Sequence, residues 1–322
     1  MKNRERLFSA IKLKYGILGG VMLVLIILPL ILSNYQLHLI IIVLLYIFLA
    51  QSWNIVGGFA GAFCFLHPVF MGIGAYTSTL LFTEMGINPW LGMLAGAILA
   101  VIAGIPITYI SLRAKLPRLS FAIITLAIDF IALYVCESFN FLGGGDRGIQ
   151  IPAHPGWVNF QFESKVGFYY TIFAMTFIIM VTCWQILRSR IGLCFRAIAD
   201  NEQASEAIGV NVMKYTLIAM SFSSFFFALG GSFYAQFMGF VMPSTVISIK
   251  LVITVILGIA VGGIGTFWGP VVGVGSIMLI GEGILAQLPR FQSLNLLLYG
   301  IAVVVILYFM PHGIMAYLKD RR

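Results

Sequence analysis

Long apolar runs, separated by short polar or Gly/Pro-rich interruptions, occupy most of this chain. The ten candidate runs are approximately 15–33, 38–56, 68–83, 90–112, 119–136, 167–187, 215–238, 247–262, 267–286 and 294–311. A helix needs about 20 apolar residues to cross the hydrocarbon core of a membrane. The runs therefore predict an all-α integral membrane protein with about ten transmembrane helices, of which the third and the eighth are the shortest.

The composition agrees with lipid as the main solvent of this protein. The chain has 322 residues, of which 61% are hydrophobic and 9% are charged, and its mean hydropathy is +1.03. Soluble domains have about 25% charged residues, so this surface is too apolar for water. No small-residue cleavage site follows the first run, and we expect that run to remain as an uncleaved span.

The positive charges divide unequally between the loops of this ten-span arrangement. With a cytoplasmic N-terminus, 15 of the 19 Lys and Arg residues fall on the cytoplasmic side. Cytoplasmic loops carry such an excess, so we predict that both termini are cytoplasmic. The net charge of +8 is then a topology signal and not a nucleic-acid-binding surface. We expect one transmembrane domain over residues 1–322, with a cytoplasmic N-terminal segment (1–14), an outer loop (137–166) and a cytoplasmic loop (188–214).

Two apolar segments are interrupted by glycine and proline. Residues 56–76 read VGGFAGAFCFLHPVFMGIGAY, and residues 261–276 read VGGIGTFWGPVVGVGS. Paired interruptions of this kind indicate a substrate site near the middle of the membrane, where irregular backbone lines a cavity. The candidate pathway residues are Gly57, Gly58, Gly61, His67, Thr125, Gly262, Gly263, Gly265 and Pro270. The alternative interpretation is that the glycines only allow close packing of helices.

Two carboxylates fall within predicted spans, Asp129 in the fifth and Glu282 near the end of the ninth. Ionisable groups in a membrane are usually functional, so a proton-coupled secondary transporter that uses them is one alternative function. No intramembrane His or Lys at a matching depth is evident as a relay partner. The four Cys and four His residues lack metal-ligand spacing, and we predict no metal site and no cofactor.

The densest polar stretch of the chain is the loop 188–214, in which seven of 27 residues are charged. Its segment RAIADNEQASEAIGVN (196–211) has the signals of a short capped helix. We predict Asp200 as the N-cap, Gln203 at the third helical position and Gly209 as a left-handed C-terminal residue. A solvated connector does not need such a helix, whereas a helix that docks into another protein does.

The same helix offers a surface for close docking. Ala204 and Ala207 are small, and Glu202 and Glu206 lie one turn apart on a single face. A nucleotide-binding P-loop needs Gly-Lys-[Ser/Thr], and no lysine in this sequence follows a glycine. We therefore expect no enzymatic activity, and energy for active transport would enter through a surface such as this one.

An ordered set of motifs resembles the permease subunits of branched-chain amino acid ABC importers. The motifs are GIGAYT (72–77), LPRLSFAIITLA (116–127), LGGGDRGIQIP (142–152), RSRIGLCFRAIADNEQASEAIGVNVMKYTLIAMSFSSFFFALGGSFYA (188–235) and VGGIGTFWGPVVG (261–273). They cover most of the chain beyond the first span, and the M-type member of the paired permeases is the more similar. The sequence departs from the family pattern at Cys64 and Leu66, where a small polar residue and a glycine are frequent, and at Gln203, where Glu is frequent.

The resemblance implies a multi-pass subunit of a bacterial inner membrane. It implies a second, H-type permease, two ATP-binding cassette ATPase subunits and a periplasmic or lipid-anchored binding protein as partners. The expected substrates are branched-chain amino acids, with urea, short amides or aromatic acids as the alternatives that relatives carry. The implied ATPase-coupling residues are Arg196, Glu202, Gln203, Ala204, Glu206, Ala207 and Gly209.

Overall fold

The computed structural model describes residues 27–114, 116–139, 145–279 and 313–315. The α-helices in these ranges are α1 (Asn34–Trp53), α2 (His67–Met85), α3 (Pro89–Arg113), α4 (Arg118–Ser138), α5 (Lys165–Arg188), α6 (Arg190–Asp200), α7 (Glu202–Ala207), α8 (Val212–Met238), α9 (Pro243–Val246), α10 (Ile249–Gly262) and α11 (Gly269–Met278). A π-helical turn, Asn54–Phe59, continues α1. Short 3-10 turns occupy Leu28–Leu30 and Gly145–Arg147. The strands β1 (Ile149–Gln150) and β2 (Phe240–Val241) pair antiparallel.

Six helical stretches of the described residues are long and apolar enough to cross a membrane. They are Asn34–Phe59, Pro89–Arg113, Arg118–Ser138, Lys165–Arg188, Val212–Met238 and Pro243–Gly262. These stretches confirm the second, fourth, fifth, sixth, seventh and eighth predicted runs. The eighth is longer than expected because α9 precedes α10.

The other four predicted runs are covered to different extents. The third run forms α2, and the ninth is helical in α11 as far as Met278. Most of the first run, all of the tenth and the segment 1–14 lie outside the described residues. The count of ten spans and the cytoplasmic location of the termini stay predictions.

Polar contacts sort the ends of the described helices into two groups. At one end, Lys165 Nζ donates to the carbonyl of Asn34 over 3.3 Å, which places the starts of α1 and α5 together. At the other end, the Arg118 guanidinium donates to the carbonyl of Ile198 over 2.6 Å, so the start of α4 lies beside the end of α6. This grouping is the one expected if successive spans run in opposite directions.

Glycine sets the distance between the helices at the centre of the bundle, where α2, α3 and α8 pack together. A Cβ atom at Gly231 of α8 would collide with the backbone carbonyl of Met71 in α2, and one at Gly96 of α3 would lie 3.0 Å from the Cα of Gly74. Ser232 Oγ also donates to the carbonyl of Gly74 over 2.8 Å. Lipid gives helices no hydrophobic reason to associate, so close packing and interhelical hydrogen bonds hold this core together.

Replacing Gly231 by alanine is expected to destabilise the bundle. The added methyl group meets main-chain atoms that have no rotamer to change, and such overpacking costs about 1–3 kcal/mol. Gly275→Ala is the matched control, because Gly275 is also a buried helical glycine and its added Cβ would lie 3.6 Å from Ile47 Cδ1. We expect the Gly231→Ala protein to show a lower thermal unfolding midpoint in detergent than Gly275→Ala. Equal midpoints would contradict this view of the core.

Candidate functional site

The first break in the bundle is the irregular segment 60–66 between the π-helical turn and α2. Its backbone groups find partners on neighbouring helices. The indole Nε1 of Trp53 donates to the carbonyl of Cys64 over 2.8 Å, and the hydroxyl of Thr125 accepts from the amide of Phe65 over 3.1 Å. Unpaired amides are too costly inside a membrane protein, so these side chains make the break tolerable. Thr125, a predicted pathway residue, therefore supports the first break from α4.

The second break, residues 263–268 between α10 and α11, is held by two amide side chains, of which Asn54 makes the shorter bonds. Asn54 Oδ1 accepts from the amide of Gly265 over 3.0 Å, and Asn54 Nδ2 donates to the carbonyl of Thr266 over 3.0 Å. Gln51 adds a longer bond of 3.4 Å from its Nε2 to the carbonyl of Phe267. Because Asn54 begins the turn that leads into the first break, it joins the two breaks.

The two breaks also contact each other through glycine. A Cβ at Gly58 would lie 2.8 Å from the amide nitrogen of Gly265, and a Cβ at Gly265 would lie 3.0 Å from the carbonyl oxygen of Gly58. Gly265 has a φ of +71°, a conformation that only glycine adopts readily. The sequence predicted both interrupted segments, and the structure brings them together.

The first break begins at the end of the bundle that carries α6. The helical stretch Asn34–Phe59 has 26 residues, which is about 39 Å at 1.5 Å per residue, so the first break follows a complete span. Beyond it, a Cβ at Gly61 would lie 2.7 Å from the Cα of Ala199 in α6. His67, just after this break, contacts Ser223 in the middle third of α8, so the segment also extends into the bundle. A substrate site at mid-depth stays a prediction.

His67, at the start of α2, is fully enclosed by protein. Its Nε2 lies 2.7 Å from Ser223 Oγ, and that hydroxyl donates to the carbonyl of Ser52 over 2.7 Å. His67 Nε2 must then be the donor to Ser223. The ring of His67 also makes an edge-to-face contact with Phe227 at 5.0 Å. In this conformation His67 ties together α1, α2 and α8.

The remaining predicted pathway residues are packing contacts in this conformation. A Cβ at Gly262 would collide with the carbonyl of Gly269, and one at Gly57 would enter the indole of Trp53. Gly263 has a φ of +114° at the end of α10, and Pro270 is buried in the first turn of α11. These contacts are the ones anticipated by the packing interpretation of the glycines.

The predicted loop 188–214 is a hairpin of two helices, which we call the α6–α7 hairpin (residues 190–209). The side chain of Ser189 caps α6 by accepting from the amide of Gly192 over 3.4 Å. One face of α6 is buried through Phe195 and Ile198, and Arg196 lies on the exposed face. The helix is therefore amphipathic and lies on the end of the bundle.

The cap of α7 differs from the predicted one by a residue. Asp200 is the last residue of α6, and Asn201 is the N-cap, with its Oδ1 accepting from the amide of Ala204 over 2.9 Å. The prediction of Asp200 was wrong because the sequence did not reveal that a helix occupies the preceding residues. Gly209 has the predicted left-handed conformation, with a φ of +87°, and its amide donates to the carbonyl of Glu206 over 3.0 Å.

The tip of the α6–α7 hairpin is exposed. The exposed residues of α7 and the turn after it are Gln203, Ala204, Glu206, Ala207, Ile208 and Gly209. Ile208, which was not among the predicted coupling residues, has 77% of its surface exposed. Glu202 differs from Glu206 because it lies 3.9 Å from Arg118 Nε.

Asp129 is buried in α4, and its Oδ1 has no hydrogen-bond partner among the described residues. It shares a buried stripe with Phe121, Ala122 and Thr125, whereas the rest of α4 is partly or fully exposed. Glu282 lies outside the described residues. No cluster of His, Cys, Asp and Glu suited to a metal ion occurs in the part of the chain that the structure describes.

Two residues at this site were not selected from the sequence. Asn54 is a polar residue at the end of an apolar run, and that position was the signal that could have identified it. Arg118 was counted only as a topology charge. Its role as a hydrogen-bond donor to α6 depends on a contact between the ends of two helices that are about 80 residues apart in the chain.

A bundle of apolar helices with paired backbone breaks and an exposed helical hairpin at one end defines a polytopic membrane protein of the transport-permease class. The chain belongs to the family described as branched-chain amino acid transport system / permease component, whose family model matches residues 35–307. It is thus a multi-pass inner-membrane protein. Members of this family are typically not enzymes, and ATP hydrolysis resides in separate subunits.

Individual relatives agree with this assignment. The permease protein LivM of the high-affinity branched-chain amino acid transport system of Escherichia coli is 24% identical over 84% of this chain and 68% of its own length. The probable branched-chain amino acid permease LivH of Methanocaldococcus jannaschii is 26% identical over 75% of this chain and 79% of its own. The nucleoside ABC transporter permease NupC of Lactococcus lactis is 25% identical over 52% and 56%. The resemblance to M-type permeases is confirmed, and no solved structure gives a significant match.

Replacing Asn54 by leucine is expected to destabilise the permease. The substitution removes the partners of the Gly265 amide and the Thr266 carbonyl, and each buried group left unpaired costs about 1–3 kcal/mol. Gln51→Leu is the control, because Gln51 makes only the longer bond of 3.4 Å to this break. We expect a clearly lower thermal midpoint, and faster amide hydrogen exchange over residues 263–268, for Asn54→Leu only. Equal effects of both substitutions would show that Asn54 does not join the breaks.

Proposed function

We propose that this chain is a pathway-forming permease subunit of an ATP-driven ABC importer for branched-chain amino acids. It works with a second, H-type permease and two ATP-binding cassette ATPases on the hairpin side of the membrane. A periplasmic or lipid-anchored binding protein delivers substrate to the opposite face, which carries the 137–166 loop. The family and the LivM and LivH relatives support the permease role.

The α6–α7 hairpin carries this proposal. Its tip combines small residues and one acidic residue with an apolar side chain, Ile208, that is exposed to solvent. Exposure of this side chain to water is unfavourable. An exposed apolar group surrounded by polar residues is typical of a protein-binding surface. We therefore assign ATPase coupling to Arg196, Glu202, Gln203, Ala204, Glu206, Ala207 and Gly209, and add Ile208.

The position of the breaks suggests how movement at the hairpin reaches the pathway. Gly61 packs against the backbone of Ala199 at the end of α6, so displacement of the hairpin acts directly on the first break. The first break contacts the second through Gly58 and Gly265. We place the translocation pathway at these breaks, closed in this conformation and opened when ATP-driven movement separates them.

The substrate is less constrained than the class of transporter. Two of the relatives are named for branched-chain amino acids and one for nucleosides, so the family admits different cargo. Urea, short amides and aromatic acids remain alternatives. Stimulation of ATP hydrolysis in the reconstituted complex by its binding protein, loaded in turn with each class, identifies the cargo.

Glu206→Lys is expected to leave the permease inserted in the membrane but to remove the ATPase subunits during purification. The residue is exposed on α7, so its replacement disturbs no internal contact, and the reversed charge opposes the partner surface. Glu163→Lys is the control, because Glu163 is also exposed but lies in the 137–166 loop at the other end of the bundle. Co-purification of the ATPases and ATP-dependent uptake are the measurements. Retained ATPases with normal uptake would remove α7 from the interface.

Asp129→Asn is expected to leave ATP-driven uptake at the wild-type level. Proton-coupled transport is the rival function, and the buried Asp129 with an unpartnered Oδ1 is the feature that favours it. Asparagine keeps the shape of the side chain but cannot take up and release a proton as a carboxylate does. Uptake by the two proteins is compared in vesicles with and without ATP, and with and without a pH gradient. Loss of uptake in Asp129→Asn together with dependence on the pH gradient would favour the rival.

A further inference from the structure

Arg118 begins α4 and reaches across to the end of α6. Its Nη2 donates to the carbonyl of Ile198 over 2.6 Å, and its Nη1 donates to the carbonyl of Ala199 over 3.2 Å. Both carbonyls belong to the last turn of α6, where the helix itself provides no donors. A cation at this position also meets the negative end of the helix dipole. The fork of the guanidinium therefore fastens α4 to the α6–α7 hairpin.

The same helix supports the first break about two turns further along. Thr125 accepts from the amide of Phe65 over 3.1 Å and donates to the carbonyl of Ala122 over 2.8 Å. Four residues of α4 are buried, and the others are partly or fully exposed. Near the hairpin, the side chains of Arg118 and Thr125 attach α4 to its neighbours by hydrogen bonds.

The last turn of α6 also contacts the first break directly, through Ala199 and Gly61. Gly61 has a φ of +70°, and its added Cβ would lie 2.7 Å from the Cα of Ala199. Ala199, whose carbonyl accepts from Arg118, thus also contacts the first break. A small cleft of about 30 Å³, lined by Gly61, Arg118, Ile198, Glu202 and Thr216, lies between the hairpin and the helices on either side. Arg118 lies at this cleft and bonds to the hairpin.

We propose that Arg118 is a positioning residue that transmits movement of the α6–α7 hairpin to α4 and to the first break. This inference rests on the proposed function, since it assumes that ATPases move the hairpin. Arg118 acts through the α6 carbonyls and not mainly through Glu202. The Arg118–Glu202 pair is 3.9 Å long with side chains 45% and 43% exposed, and exposed ion pairs of this kind contribute little.

The test compares Arg118→Gln with Arg113→Gln in the complete complex with its partners. Arg113 is a matched control at the same end of the bundle. Its guanidinium contacts Tyr109 of its own helix, through the hydroxyl and the ring. We expect both complexes to keep their ATPase subunits and to hydrolyse ATP. We expect the amount of substrate taken up per ATP hydrolysed to fall about tenfold in Arg118→Gln, the equivalent of one charge-assisted bond, and to be unchanged in Arg113→Gln.

Arg118→Lys and a double charge reversal complete the design. Lysine keeps the charge but lacks the fork, so it is expected to restore part of the uptake per ATP and to be useful if the glutamine variant does not fold. The exchange Arg118→Glu with Glu202→Arg is expected not to restore uptake, because a glutamate cannot donate to the α6 carbonyls. Restored uptake in the exchange would overturn the proposal in favour of the ion pair.

Two further results would overturn it. Normal uptake per ATP in Arg118→Gln would show that the hairpin does not act through this residue. Loss of the ATPases from Arg118→Gln alone would make Arg118 a docking residue. Failure of the proposed function is distinguishable from both, because it would show in the wild-type complex as uptake that does not depend on ATP.

Discussion

The backbone of a membrane protein must find its hydrogen-bond partners within the protein, and the structure of this permease depends on how that constraint is met at two broken helices. Asn54 is central, because one side chain supplies an acceptor to Gly265 and a donor to Thr266. At the first break, Trp53 donates to the carbonyl of Cys64, and Thr125 accepts from the amide of Phe65. Since these partners lie on α1 and α4, the breaks exist only while the surrounding helices hold their places.

This dependence makes the breaks suited to a transmission role. A regular helix has all its backbone bonds within itself and resists local change, whereas some of the bonds at residues 60–66 and 263–268 depend on side chains from other elements. The α6–α7 hairpin lies directly against the first of these segments through Ala199 and Gly61. A segment held partly by side chains of other helices is therefore next to the surface that we assign to the ATPases.

The sequence predicted local features better than contacts between distant segments. The apolar runs located the six spanning stretches, and Gly209 was recognised as a left-handed residue because a helix end and a glycine are adjacent in the chain. The meeting of the breaks was not predictable, since Asn54 and Gly265 are 211 residues apart. The cap of α7 was misplaced by one residue because the amphipathic helix α6 extends to Asp200. Arg118 was missed because its charge had already been explained by topology.

The most direct test of the account is whether the tip of the α6–α7 hairpin touches an ATPase. A photoreactive amino acid at position 208 is compared with one at position 157, since Ile208 and Trp157 are similarly exposed, at 77% and 72%, at opposite ends of the bundle. The account predicts that illumination of the assembled complex links residue 208, and not residue 157, to an ATP-binding subunit. Linkage of residue 157 to that subunit, or no linkage from residue 208, would contradict it.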